Sequence, residues 1–178
     1  MKKIIFGFSK PRTWKPFAKI IQFVDQSNIS HGYTRFESDR WSASFIYQNS
    51  GHRTNFMGGT LFDTLNERVE EYCLEVPDEV EAKIGHLCVS REGKPYAMKQ
   101  VIGKGIVLIM AFASFRKIKI KNPFPNGDKE TDCIEEQAAI LSQGLGIQTP
   151  LDMDSVTVKP FRDWLVTIPS IVTIKGEK

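Results

Sequence analysis

Two runs, His31 to Phe36 and Trp41 to Gln48, constrain this chain more than any other feature. Both are rich in aromatic and β-branched residues, and they flank the turn-like Glu37-Ser38-Asp39-Arg40. The pattern predicts an antiparallel hairpin. Closing it on those four residues pairs Phe36 with Trp41 and His31 with Ile46. Side chains along a strand alternate between faces, so Ile46 and Gln48 then share a face with His31. Gln48 becomes the diagonal neighbour of His31, and a register slip of one residue removes it from that face.

The remaining segments surround the hairpin with mixed elements. Lys3 to Phe8 reads as a first strand ending in a Ser9-Lys10-Pro11 loop, and Pro16 opens a helix with Phe17, Ile20, Ile21 and Val24 on one face. Asn49-Ser50-Gly51 closes the hairpin, and the Gly-, Thr- and Asn-rich stretch to Asn66 reads as loop. Val69 to Val76 is a strand. Pro77 opens a helix that turns Val80, Ile84, Leu87 and Cys88 inward, and Gly93-Lys94-Pro95-Tyr96 breaks it. A short helix is expected from Tyr96 to about Gly103. The apolar run from Gly105 to Phe115 suits a buried strand or helix, and Lys117 to Lys121 suits a strand with a charged outer face. Asn122 to Lys129 is a loop. Pro160 starts a short helix with Phe161, Trp164 and Leu165, followed by a strand-like tail from Val166 to Ile174. Strands and helices mix without strict alternation, so the fold class is α+β, an antiparallel sheet packed against helices. The 178 residues form one domain, 1–178, long enough for a core without staples.

Chemistry enters at Thr131-Asp132-Cys133-Ile134-Glu135-Glu136. Asp132 suits an N-cap, with Glu135 three residues on closing a capping box, so Cys133 falls in a first helical turn. Ile134, Ala138, Leu141 and Leu145 follow at helical spacing, and Gly144 and Gly146 mark the stop. The positive end of the helix dipole and the unpaired backbone N–H groups favour a thiolate there. The competing reading is a small buried hydrophobe, the commonest fate of a free cysteine. A nucleophile needs a base and an orienting group. His31 is the leading base, since Gln48 can accept from one imidazole nitrogen and leave the other for Cys133. His52 competes as orienter, and His52 and His86 compete as bases.

Composition excludes several alternatives. A net charge of +3 is too small to argue for nucleic acid, and a solvated strand face is the simplest account of the Lys117, Lys119 and Lys121 row. Three widely spaced cysteines without a CxxC suggest neither disulfides nor zinc, and His86 and Cys88, two apart on a helix, cannot chelate together. No metal or cofactor is expected. No apolar run approaches a membrane span, and the one near Met1 is too short for a signal peptide. The expectation is a product made in a cytoplasm without an export route of its own.

Taken in order, these motifs resemble the circularly permuted papain-fold hydrolases, the NlpC/YiiX-like superfamily that includes lecithin:retinol acyltransferase. Ser30-His31 with Tyr33 is similar to that family's "SH-hydrophobic" strand, with Gly32 where a β-branched residue is usual. Ile46-Tyr47-Gln48-Asn49-Ser50-Gly51 resembles its "V-Y-E-A-x-G" strand, with Gln48 in place of the acid. Gly93-Lys94-Pro95-Tyr96 matches "G-x-P-Y", and Asp132-Cys133-Ile134-Glu135 resembles "C-S-E" with Ile134 replacing Ser. The likeness covers roughly residues 3 to 165, and the Ile4-Ile5-Phe6-Gly7-Phe8-Ser9-Lys10-Pro11 opening is also similar to proteins carried by tailed bacteriophages.

The resemblance implies a cysteine hydrolase or acyltransferase working through an acyl-enzyme. Cys133 becomes the nucleophile, His31 the base, Gln48 the orienter, and the Cys133 backbone N–H an oxyanion donor. A neutral amide at 48 cannot stabilise an imidazolium by charge. Three functions then compete. The first is an amidase or peptidase on bacterial cell-wall peptides, delivered in a virion or through a hole in the membrane. The second is a phage structural or accessory protein, with other virion proteins as partners, keeping the fold without the chemistry. The third is an acyltransferase or esterase on lipid-like substrates, which requires an exposed apolar groove.

Overall fold

In the computed structural model, which describes residues 1–37, 45–50, 53–113, 121–124 and 130–175, the chain forms a six-stranded antiparallel sheet with helices against it. The order along the chain is β1 (Lys2–Pro11), α1 (Pro16–Asp25), β2 (His31–Glu37), β3 (Phe45–Ser50), β4 (Arg53–Gly58), α2 (Gly59–Leu65), β5 (Asn66–Val76), α3 (Asp78–Arg91), α4 (Met98–Ala113), α5 (Cys133–Ala139), α6 (Val158–Leu165) and β6 (Ile171–Lys175). Across the sheet the strands run β4-β3-β2-β1-β5-β6. Among the described residues no helix is long and apolar enough to cross a membrane.

The continuous apolar run in β1 reflects its central place, since a strand covered on both faces has no side to leave polar. Ile4, Phe6 and Phe8 enter the main core with Phe36, Tyr47, Tyr72 and Leu74, beneath α3, α5 and α6. On the opposite face Tyr33, Ile46 and Phe62 form a smaller cluster with Met57 against it. Gly7 is required between the two neighbours it pairs with. A Cβ there would lie 2.1 Å from the Tyr33 ring, which crosses β1 so that its hydroxyl donates to Glu71 at 2.8 Å.

Polar side chains pin α5 to this frame. Gln137 Nε2 donates to the Tyr33 carbonyl at 2.7 Å, and the buried Glu136 carboxylate accepts from Arg91 at 2.7 and 2.8 Å and from the Tyr47 hydroxyl at 2.6 Å. A buried carboxylate is tolerated only when paired and hydrogen-bonded, and Glu136 is both. Helix α5 continues as a π-helical turn, Ile140–Gly144, and stops at Gly146, whose φ of 73° is left-handed. Asp25, at the end of α1, accepts from the Thr157 hydroxyl and the Lys159 N–H, tying α1 to the start of α6.

Several sequence expectations are corrected. The stretch from Arg53 to Leu65 is not loop but strand β4 and helix α2. At the sheet edge, β4 turns Thr54 and Phe56 to the main-core face and Met57 to the smaller cluster, so it carries no apolar run. Strand β1 extends through Ser9-Lys10-Pro11 to pair with Arg68, Glu67 and Asn66. The short helix and the following apolar run are one helix, Met98–Ala113. The tail is strand only from Ile171, because α6 is followed by a turn. The hairpin register also differs: Tyr33 faces Gln48, Thr34 faces Tyr47 and Arg35 faces Ile46, so Ile46 is not opposite His31. The expected turn at 38–40, the strand start at Trp41, His52, and the Lys117 and Lys119 row lie outside the described residues.

Candidate active site

The register difference amounts to four residues, an even number, so every side chain keeps its face. Gln48 pairs with Tyr33 and is therefore still diagonal to His31. Gln48 Oε1 lies 3.0 Å from His31 Nε2. Gln48 Nε2 donates to Met57 Sδ at 3.2 Å, which turns the amide oxygen toward the ring. An amide oxygen only accepts, so Nε2 carries the proton and Nδ1 is left as the basic nitrogen. Burial pushes the imidazole down to about 4; the Gln48 hydrogen bond opposes this and the Lys15 ammonium adds to it. The ring is neutral at physiological pH.

The Asp132 capping box is present in full. Asp132 Oδ1 accepts from the Ile134 and Glu135 N–H groups, each at 2.9 Å, and Glu135 Oε2 accepts from the Asp132 N–H at 3.1 Å. Cys133 is therefore the first residue of α5 and buried. The Gly32 N–H is directed at its sulfur, which places the thiol against the residue that follows His31. A Cβ at Gly32 would approach Gln137 at 3.0 Å and Ile134 at 3.3 Å, so the small residue there lets α5 settle on β2.

A thiolate is not the resting form. Burial is the largest influence on Cys133 and the Asp132 carboxylate the next, and together they push the thiol up to about 12 against the Gly32 N–H, the Lys104 ammonium and its own N–H. The dipole argument fails for an identifiable reason. The N-cap carboxylate takes the first-turn N–H groups of Ile134 and Glu135 and sets a negative charge beside the sulfur. Lys104, buried on α4, pairs with Asp132 and offsets part of that charge.

A cavity of about 300 Å³ opens beside β2 and β3, with His31, Gln48, Met57, Lys15, Ile21 and Tyr96 in its wall. Cys133 does not line it, and among the described residues no hydrogen bond joins its sulfur to the imidazole. Tyr96 connects the two places. It lines the cavity, and its hydroxyl is pushed well up by burial first and then by the nearby Cys133, Asp132 and Glu135, so it stays a proton donor.

Tyr96 is held by a backbone clamp. Gly93, at φ 84°, donates its N–H to the Thr54 carbonyl at 2.8 Å, and the Thr54 N–H donates to the Lys94 carbonyl at 2.9 Å. On the other side, Thr131 donates to the Pro95 carbonyl at 3.0 Å and accepts from the Ala97 N–H at 2.9 Å. The Gly93-Lys94-Pro95-Tyr96 turn thus joins β4 to the residues just before Cys133. In the sequence this turn reads as a helix break, a family motif and, at Tyr96, the start of a short helix, with no role for Tyr96 in the site. The available signal is the spacing of Gly93 two residues before Pro95-Tyr96, a turn composition that fixes the backbone ahead of the tyrosine.

No family model, curated protein or solved structure matches this chain. Function therefore rests on the residues themselves. His86 is exposed on α3 while Cys88 is buried, which leaves His86 remote from the core side of that helix.

Proposed function

We propose that the chain is a cysteine acyl-transfer enzyme, a hydrolase working through an acyl-enzyme, of the circularly permuted papain-like kind. The observation that carries this reading is the Gln48–His31 hydrogen bond, which leaves Nδ1 as the free base at the strand end where Gly32 meets the Cys133 sulfur. The reacting pair is a neutral thiol and a neutral imidazole rather than an ion pair, in keeping with an uncharged partner at position 48.

On this reading Cys133 Sγ attacks a carbonyl carbon while its proton passes to His31 Nδ1. The Cys133 N–H and the Tyr96 hydroxyl receive the charge on the carbonyl oxygen. The imidazolium then gives its proton to the leaving group as the C–N or C–O bond breaks. Water, deprotonated by the same ring, hydrolyses the thioester. Substrate binding must draw the sulfur and ring together, a tightening that sites without substrate commonly require.

Cell-wall peptides, reached from a bacteriophage virion, are the substrate class suggested by the family resemblance. A second reading rests on a specific observation. An apolar groove of about 240 Å³, lined by Ile20, Ile21, Val101, Ile102, Gly105 and Ile106, runs between α1 and α4, and Ile21 belongs to both the groove and the cavity. It offers space for an alkyl chain beside the reacting carbonyl, which favours esters or amides of lipid-like acids. Incubation with purified peptidoglycan and, separately, with phospholipid separates the two by mass analysis of the released peptides or fatty acids. Release by the wild type and none by Cys133→Ala is expected. No release from either, or equal release by Cys133→Ala, sinks the enzyme reading in favour of an accessory protein.

A further inference from the structure

We propose that the face built from α1 and α4 docks on an anionic membrane surface. Trp14, two residues before α1, and Phe23, one turn beyond the half-exposed Ile20 on α1, are 73% and 79% exposed. Across the groove α4 presents Ile102, Ile106 and Ile109, one turn apart on a single stripe. Soluble chains scatter exposed apolar residues singly; Ile20, Ile102, Ile106 and Ile109 instead line one groove across two adjoining helices, which marks a binding surface.

The charges around this set decide the partner. Lys15, the residue before α1, Lys19 in α1 and Lys99 in α4 are exposed. The one carboxylate in either helix, Asp25, is buried and engaged by Thr157 and Lys159. A protein partner's apolar patch has no need of exposed cations on both helices. Acidic headgroups with acyl chains beneath them match both the cations and the apolar groove. Trp14, with an apolar ring and a polar N–H, suits the headgroup level. Docking does not require Cys133 chemistry.

Sedimentation of the full chain with vesicles tests this, comparing an equimolar mixture of phosphatidylglycerol and phosphatidylcholine with phosphatidylcholine alone. Binding to the mixture alone is expected, weakening as salt approaches about 1 M, where the screening length falls to about 3 Å. Lys15→Gln with Lys19→Gln should weaken it roughly 25-fold, about fivefold per charge. Trp14→Ser with Phe23→Ser should weaken it at least roughly tenfold at unchanged charge. Because all four side chains are exposed, unchanged melting curves establish that the variants fold. Equal partition onto phosphatidylcholine alone, or onto neither vesicle, overturns the proposal. So does a concentration-dependent dimer that the Trp14 and Phe23 changes abolish while vesicles capture nothing. Cys133→Ala should bind vesicles as the wild type does, so docking is judged apart from acyl transfer.

Discussion

Replacing Gln48 by Glu puts a carboxylate where an amide oxygen now lies 3.0 Å from His31 Nε2. Burial holds the wild-type ring at about 4, below its ordinary 6.5. An opposite charge at such range raises an imidazole by roughly 1 to 3 pH units, so His31 should titrate at roughly 5 to 7 in Gln48→Glu. The sign of the stability change follows. Between about 4 and 6.5 the unfolded wild type binds more protons at this site than the folded one, so stability falls as the solution is acidified through that window. The loss is on the order of 3 kcal/mol once pH is below 4. In the variant the gap narrows and most of that loss disappears. The variant also forfeits the Met57 contact and buries a carboxylate, so its stability at pH 8 should be lower. NMR titration resolves the ring, because the chain has only three histidines, His31, His52 and His86. Urea unfolding at pH 5 and pH 8 supplies the stability side. A His31 that titrates near 6.5 in the wild type, or stays near 4 in the variant, refutes the reasoning about its surroundings.

Three further substitutions probe neighbouring parts of the site. On the proposed mechanism, Tyr96→Phe removes one oxyanion donor and should lower the acylation rate roughly 100- to 1000-fold with the melting temperature little changed, as read by stopped-flow release of p-nitrophenol from an activated ester. Lys104→Met leaves Asp132 buried and unpaired and should cost about 3–5 kcal/mol in urea unfolding, most of it recovered by adding Asp132→Asn. Gly105→Leu fills the groove between α1 and α4. Open space lies beyond its Cβ, so the fold should hold while hydrolysis of long-chain esters falls at least roughly tenfold and that of acetate esters does not.

Local patterns were the legible ones. The Asp132 capping box involves residues three apart, so its chemistry is complete within the sequence window that shows it. The diagonal relation of Gln48 to His31 survived a wrong register because only the parity of the offset matters to a two-residue repeat. What depended on distant packing was not legible. The charge state of Cys133 follows from burial under neighbouring elements and from Lys104 arriving on α4, which no spacing near Cys133 announces. Strand β4 escaped notice because its two large apolar residues, Phe56 and Met57, serve opposite faces and form no run, and Tyr96 because its clamp joins Thr54 to Thr131 across the fold.

The central claim is that His31 takes the proton of Cys133 during acylation, and the pH dependence of that step tests it most directly. With a thiol at about 12 and a ring at about 4, acylation of Cys133 by p-nitrophenyl acetate, located by mass spectrometry, should be level between roughly pH 6 and 9 and fall only toward the acid side. In His31→Ala only hydroxide-generated thiolate remains, so the rate should be roughly 100- to 10,000-fold lower at neutral pH and rise tenfold per pH unit. A wild type with that same tenfold rise, or a His31→Ala protein acylated as fast as the wild type, contradicts the account.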